Sequence, residues 1–386
     1  MTRTARIGLA LAACLTVLAA LVAPRAAAVP QTGAGSVVSF SEIDDPNYAI
    51  PGAGDVYAIH YLSRGVGDAL VPVRATAWIP TSPAPATGYP VASWAHGTRG
   101  LGDACAIHSS VFVKDGPDYA STLKPFPQKG FVLVASEYAG IDGPGLHPYL
   151  DGRVSGANVI DAVRAVREVG RQIGVNIDKR YTTAGGSQGG HASLSAGTMA
   201  ASYAPELELL GTTAVAPPVY IDRYLSQLGP DVPALPVPDY VTYLSYVLGG
   251  LKAADPSLDV DGYLTPVGRA TLKSAETLCY QDMVKKTRGM GVGEMLSRPL
   301  DQGPLMAAVR NYQVVPVRGY RSPVLIHQGE ADLTAFAPLT DQYVDDARAA
   351  GATIDYRKNL AGHDTGRQPL IEAADWAYGK WKASVK

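Results

Sequence analysis

Ser187, Asp332 and His363 are the residues whose types and order could perform chemistry. Gly185-Gly186-Ser187-Gln188-Gly189 fits the pattern G-x-S-x-G. With 41 glycines in 386 residues such a pentapeptide proves little alone, so its setting matters more. A strand-like Tyr181-Thr182-Thr183-Ala184 precedes it, and a small-residue run with helical character, Gly190-His191-Ala192-Ser193-Leu194-Ser195-Ala196, follows. A strand–turn–helix of this kind puts the serine on a strained turn with its hydroxyl exposed, while the flanking glycines let strand and helix approach closely. An ordinary glycine-rich turn with a capping serine is the competing reading.

A serine hydroxyl is a poor nucleophile without a base, and the order serine, acid, histidine accompanies this pattern. Gln328-Gly329-Glu330-Ala331-Asp332 follows a strand-like Val324 to Ile326, and Ala361-Gly362-His363-Asp364 follows a second one, Thr353 to Tyr356. His363 is therefore the candidate general base, with Asp332 orienting its ring and stabilising the imidazolium. Glu330 competes for the acid role, but strand-end geometry favours Asp332. Asp364 is adjacent to the base in sequence and would have difficulty reaching its far ring nitrogen.

A tetrahedral intermediate also needs donors for its oxyanion. The residue after the nucleophile supplies one, so the amide of Gln188 is assigned. The second comes from Trp94-Ala95-His96-Gly97-Thr98-Arg99-Gly100, through the amide of Thr98 or Gly97, unless this is a plain strand-to-helix turn. His60, His108, His147 and His327 have no partner at motif spacing and read as structural or surface residues. His191, just beyond the serine, reads as packing. Neither H-E-x-x-H nor a Cys/His cluster occurs, so no catalytic metal and no other cofactor is expected.

The elements that must hold these residues follow from periodicity. Val56 to Leu62 and Val71 to Ile79 read as strands of a meander, with Pro72 near an edge or at the strand's start. From Pro90 onward, short apolar runs alternate with helical periodicity, the pattern of a parallel sheet covered by crossover helices. The strands predicted are Val91 to Trp94, Phe131 to Ala135, Tyr181 to Ala184, Thr212 to Ala216, Val324 to Ile326 and Thr353 to Tyr356. Between the second and third, Ile160, Val163, Val166 and Val169 mark the buried face of a helix over Asp151 to Gly170. Asp161, Arg164, Arg167 and Glu168 fall on its solvated face.

The alternation stops after Ala216. Pro217 to about Arg310 holds a Pro-rich turn (Pro230, Pro233, Pro236, Pro238) and a Tyr-rich helical piece (Tyr240, Tyr243, Tyr246). A structureless loop of that length is rare in a compact domain, so the segment reads as a cap over the sheet. The expected organisation is a signal peptide over 1–28, a core over 29–216, a cap or lid insertion over 217–310 and the rest of the core over 311–386.

Composition bounds the possibilities. A chain 47% hydrophobic and only 18% charged is not disordered, and 33 basic against 35 acidic residues argues against nucleic acid as the main partner. Arg3 and Arg6 precede an apolar run from Ile7 to Val22 and then Ala26-Ala27-Ala28, a secretory signal expected to be cut after Ala28. No later apolar stretch is long enough to span a bilayer, so a soluble secreted product is expected. Leu11-Ala12-Ala13-Cys14 resembles a lipoprotein box that would anchor the product through Cys14. It is the weaker reading, because the apolar run continues past it. Cys105 and Cys279 are then the cysteines left in an oxidising compartment, where one disulfide is expected rather than two buried thiols.

The signal, His96-Gly97-Thr98, the long helical stretch after Phe131-Val132-Leu133-Val134, Gly185-Gly186-Ser187-Gln188-Gly189-Gly190, the cap, Asp332 and Gly362-His363 together resemble the secretory lipase family of α/β-hydrolases, the Candida lipase A type. The likeness covers nearly all of the mature chain. It implies an α/β-hydrolase fold: a mostly parallel central sheet flanked by helices, with a largely helical cap. It also implies a Ser187–Asp332–His363 triad, a Cys105–Cys279 bridge and a lid shaping an acyl-binding tunnel. The second cysteine pair that fungal members carry near the C-terminus is absent here. The function implied is a secreted serine hydrolase of carboxylic esters, a lipase or carboxylesterase acting through an acyl-enzyme. Its partner would be a small-molecule or lipid ester, met in solution or at a lipid–water interface, with no nucleic acid and no obligate protein partner. Two rivals are a peptidase or amidase with the same triad, and a catalytically silent fold used for binding.

Overall fold

Among the described residues nine strands form one sheet: β1 (Val37–Glu42), β2 (Ala53–Arg64), β3 (Leu70–Pro80), β4 (Tyr89–Ala95), β5 (Val132–Ser136), β6 (Ile177–Gly186), β7 (Glu208–Val215), β8 (Val324–Gly329) and β9 (Ile354–Asn359). The computed structural model describes residues 32–110, 121–233, 235, 237, 239–366 and 368–385. The expected signal peptide, Cys14, Pro236 and Pro238 lie outside the described residues. Strand order is β1-β2-β3-β5-β4-β6-β7-β8-β9. The pairs β1/β2, β2/β3 and β3/β5 are antiparallel, and every later pair is parallel.

The sheet is thus the mostly parallel one expected. β1 was not anticipated, because Val37-Val38-Ser39-Phe40-Ser41-Glu42 is a short edge strand without a buried run. Pro72 lies near the start of β3, ahead of Ala75 where pairing with β5 begins. A missing amide costs no ladder bond on that side.

Every residue of β4 and β5 is buried, as parallel strands covered on both faces must be. Along β5 the side chains alternate between two cores. Val132 and Val134 pack with the first long helix, α1 (Gly152–Ile173), and with α2 (Gln188–Tyr203). Leu133 and Ala135 pack with Ala373, Ala377 and Trp381 of the C-terminal helix (Gln368–Ser384) on the other face. Asp151 caps α1 by accepting from the amides of Arg153 (3.0 Å) and Val154 (3.3 Å), and Gly174 ends it with φ of 78°.

One expectation for α1 fails. Asp161 is fully buried rather than solvated. It accepts hydrogen bonds from Ser63 Oγ (2.6 Å), Tyr203 Oη (2.8 Å) and Arg164 (2.6 Å). The helix packs against β2 as well as against α2, so its apolar stripe does not mark the full width of its buried face.

Between β7 and β8 the chain forms α3 (Ile221–Leu225), α4 (Tyr240–Ala254), α5 (Pro266–Ala275), α6 (Tyr280–Thr287), α7 (Val292–Met295) and α8 (Leu305–Tyr312). Leu248, Leu251, Tyr263, Leu272, Met295 and Leu305 bury one another in an apolar cluster that also takes in Leu101, Tyr149 and Leu150 from the loops after β4 and β5. Cys105 and Cys279 form a disulfide with Cα atoms 5.2 Å apart. It joins the segment to the loop after β4, and Tyr280 N donates to Arg99 O (2.7 Å) beside it. After β8 come α9 (Ala337–Ala349), β9 and α10, the C-terminal helix.

Candidate active site

The turn between β6 and α2 carries Ser187 at φ 53°, ψ −120°, a conformation costly for a residue with a side chain. Backbone packing enforces it. Ser187 N donates to Val215 O at the end of β7 (2.8 Å). A Cβ at position 189 would lie 2.0 Å from Ala95 O, and one at position 185 would lie 2.5 Å from the backbone of Gly189. Only glycine lets β4, β6 and α2 meet this closely.

Although Ser187 occupies the N-cap position of α2, its side chain makes no cap hydrogen bond. Its hydroxyl instead donates to His363 Nε2 (2.9 Å), and His363 Nδ1 donates to Asp332 Oδ2 (2.9 Å). The histidine side chain is 24% exposed, while Asp332 is 1% exposed. A carboxylate so buried needs its acceptor sites filled. Oδ1 accepts from the amides of Thr334 (2.8 Å) and Ala335 (2.9 Å), and Oδ2 accepts also from Gln328 Nε2 (3.0 Å). Glu330 and Asp364 are exposed, and Asp364 Oδ1 accepts from Gly366 N (2.9 Å). The loops after β8 and β9 are tied together by Glu330 N donating to Asn359 O (2.8 Å) and Ala331 N to Ala361 O (3.0 Å). Asp332 and His363 are thereby held in register.

Gln188, the first residue of α2, has an amide with no carbonyl to reach within the helix. The loop after β4 lies beside it: a Cβ at position 97 would sit 3.4 Å from Gly186 O. Thr98 Oγ1 and Tyr149 Oη share a 2.6 Å hydrogen bond. Behind this loop Glu137 is fully buried. Burial pushes its carboxyl up, but contacts with His108 and His96 outweigh that and leave it below the usual range. Burial likewise pushes the His96 imidazole down.

The remaining histidines have structural partners. His191 Nε2 donates to Gln313 O (3.0 Å), and His327 lies 3.7 Å from Glu372. His108 meets Glu137 at 3.1 Å, and His60 meets Ser39 at 3.3 Å. His147 is different: its Nε2 is 2.7 Å from Gln188 Nε2. Neither Gln328, which braces Asp332, nor His147, which reaches Gln188, was identified from the sequence. Among the described residues, no group of three His, Cys, Asp or Glu side chains converges to hold a metal ion.

A cavity with about 570 Å³ of empty volume opens onto Ser187 and His363. Tyr240, Tyr243, Leu244 and Val247 line it at successive helical spacings, so one stripe of α4 shares the cavity with Ser187. Ile221, Tyr224 and Leu225 of α3 close another wall. Ile221, Leu225, Tyr240, Leu244 and Val247 belong to the same apolar cluster that packs this segment, so its core and this lining are continuous.

A family profile described as secretory lipase matches residues 119–365. Lipase A of Moesziomyces aphidis is 22% identical over 304 residues, covering 75% of this chain and 59% of that protein. The chain therefore spans about three-fifths of the length of this curated relative. Among solved structures, Candida antarctica lipase A in its closed state superposes with a TM-score of 0.72 at 20% identity, over 89% of this chain and 83% of that one. The rice cell wall degrading esterase LipA from Xanthomonas oryzae gives a TM-score of 0.72 at 16% identity, over 89% and 95%. At these identities the structural likeness establishes the α/β-hydrolase fold.

Proposed function

The chain belongs to the secretory lipase family, whose profile covers well over half of it, and from that premise we propose that it is a secreted serine hydrolase of carboxylic esters. The observation that carries this reading is the unbroken hydrogen-bonded line from Asp332 through His363 to Ser187, ending at an apolar cavity. Ser187 Oγ attacks the ester carbonyl carbon as its proton passes to His363 Nε2. Asp332 keeps the other ring nitrogen protonated and stabilises the imidazolium. The tetrahedral oxyanion is received by the amides of Gln188 and of Thr98 or Gly97. Collapse expels the alcohol, which takes the proton back from His363, and water repeats the sequence on the acyl-enzyme.

The cavity stripe of α4 receives the acyl chain, and residues 217–310 act as a cap on a core formed by 29–216 and 311–386. Residues 1–28 direct secretion and are removed after Ala28. A lipid or small-molecule ester is the substrate class, because the lining offers apolar surface and few charges.

Hydrolysis of p-nitrophenyl esters of increasing chain length, by the wild type and by Ser187→Ala, tests the reading. Activity should vanish in the variant, and covalent labelling by a fluorophosphonate should vanish with it. Equal activity in both proteins would remove the assignment. Faster turnover of aminoacyl anilides than of esters would replace it with a peptidase.

A further inference from the structure

Gln188 is not only the residue after the nucleophile. Its side chain is buried and points away from the cavity into a stack of rings behind the oxyanion site. His147, fully buried, lies there with Nδ1 3.1 Å from Ala139 O and Nε2 2.7 Å from Gln188 Nε2. A carbonyl only accepts, so Nδ1 must carry the proton, and in a neutral ring Nε2 is then the acceptor. The side-chain amide of Gln188 donates to it. Burial keeps the ring neutral, its pKa pushed down to about 3.

The imidazole stacks on Tyr138, with centroids 5.2 Å apart and planes at 12°. Tyr138 in turn packs against His96 at 4.3 Å and donates its hydroxyl to His96 O (2.9 Å). His147 N donates to Leu101 O (3.2 Å). One ring stack thus bears on the helix that starts at Gln188 and on the loop that holds Gly97 and Thr98.

We propose that His147 is a positioning residue for the oxyanion site: by accepting from Gln188 Nε2, it holds the residue after the nucleophile so that its backbone amide stays aimed at the developing oxyanion. This rests on the serine-hydrolase reading of Ser187. Removing an oxyanion donor outright costs roughly 10²–10³ in kcat, and loosening its aim costs less. An amide set about 1 Å off contributes little in the transition state while leaving the bound ester untouched.

The test is a double-mutant cycle. His147→Phe keeps an aromatic ring against Tyr138 but removes the acceptor, and Gln188→Ala removes the donor while leaving the backbone amide. Each should lower kcat by about 10–100-fold, with KM changed by less than about threefold. The double variant should be no worse than the poorer single one. A trifluoromethyl ketone, whose adduct with Ser187 presents an oxyanion, should lose affinity by the same factor as kcat/KM. His147→Gln, able to accept from Gln188 and donate to Ala139 O, should recover most of the rate.

Multiplicative losses would overturn the proposal, since they would mean that each side chain acts independently. So would a kcat within twofold of wild type in a folded His147→Phe protein. If that variant does not fold, an unchanged kcat in Gln188→Ala overturns it equally. Undiminished activity of Ser187→Ala would instead sink the underlying reading, a result recorded separately.

Discussion

Replacing Asp332 by asparagine tests the acid role, because the four hydrogen bonds around that side chain leave an amide no good orientation. Two backbone amides point at Oδ1, and two side-chain donors, Gln328 Nε2 and His363 Nδ1, point at Oδ2. An asparagine has one oxygen and one NH₂. With its oxygen on the Thr334 and Ala335 amides, the NH₂ faces two donors. The imidazole can relieve this by giving up the Nδ1 proton and carrying it on Nε2 instead. That proton then points at Ser187 Oγ, 2.9 Å away, and the ring has no lone pair to receive the serine's proton. The same substitution in a serine protease lowers kcat about 10⁴-fold, or about 5 kcal/mol at 1.36 kcal/mol per decade. Here kcat on a p-nitrophenyl ester should fall by about 10³–10⁴ with KM within a few-fold. Gln328 Nε2 keeps the carbonyls of Ala335 (3.1 Å) and Gly329 (3.3 Å) as acceptors, so the lost bond should cost no more than about 1–3 kcal/mol and the fold should survive. Glu330→Gln and Asp364→Asn, which alter exposed carboxylates, should leave kcat within twofold. A kcat within tenfold of wild type in Asp332→Asn, measured on folded protein, would refute the acid role.

Gly189→Ala should cost more than about 3 kcal/mol, since the new methyl would lie 2.0 Å from Ala95 O and backbone cannot yield cheaply. Gly186→Ala, where a Cβ would come no nearer than 3.8 Å to Val215 O, should stay within about 1 kcal/mol by urea unfolding. Equal stability of the two variants would contradict the packing described for the turn. A second expectation concerns acid. Burial pushes the imidazoles of His147 and His191 down to about 3 and about 4, their hydrogen bonds to carbonyls only partly opposing it. Below the ordinary value of 6.5 the unfolded chain takes up protons that the folded chain refuses, so stability falls with pH through that window. Each ring contributes up to about 1.4 kcal/mol per pH unit. His191→Gln should flatten the fall in urea midpoint between pH 7 and pH 5, and a wild-type profile already flat there would count against both assignments.

The strands from β4 onward were legible because each is a short apolar run bounded by turn residues, and helix α1 because its apolar stripe repeats at 3.6 residues. β1 escaped because an exposed edge strand has no reason to be apolar. Asp161 escaped for a related reason. Periodicity reports which residues are apolar, not which are covered, and three donors from β2, α1 and α2 make a buried carboxylate tolerable.

The site divides along the same line. Ser187, Asp332 and His363 stand out because each follows a predicted strand within a few residues of a glycine, in the order serine, acid, histidine, so residue type and position along the chain mark them. Gln328 and His147 act through contacts with residues 4 and 41 positions away, and nothing in their own neighbourhoods announces it. A histidine with no partner at motif spacing is indistinguishable, in one sequence, from a core histidine. The difference appears only when the ring is found with one nitrogen fixed by a carbonyl and the other turned to the side chain of Gln188. Residues that brace a site are therefore the ones a sequence hides. They are under no requirement of order or spacing, only of arriving at the same place, as His147 does beside Gln188 from 41 residues upstream.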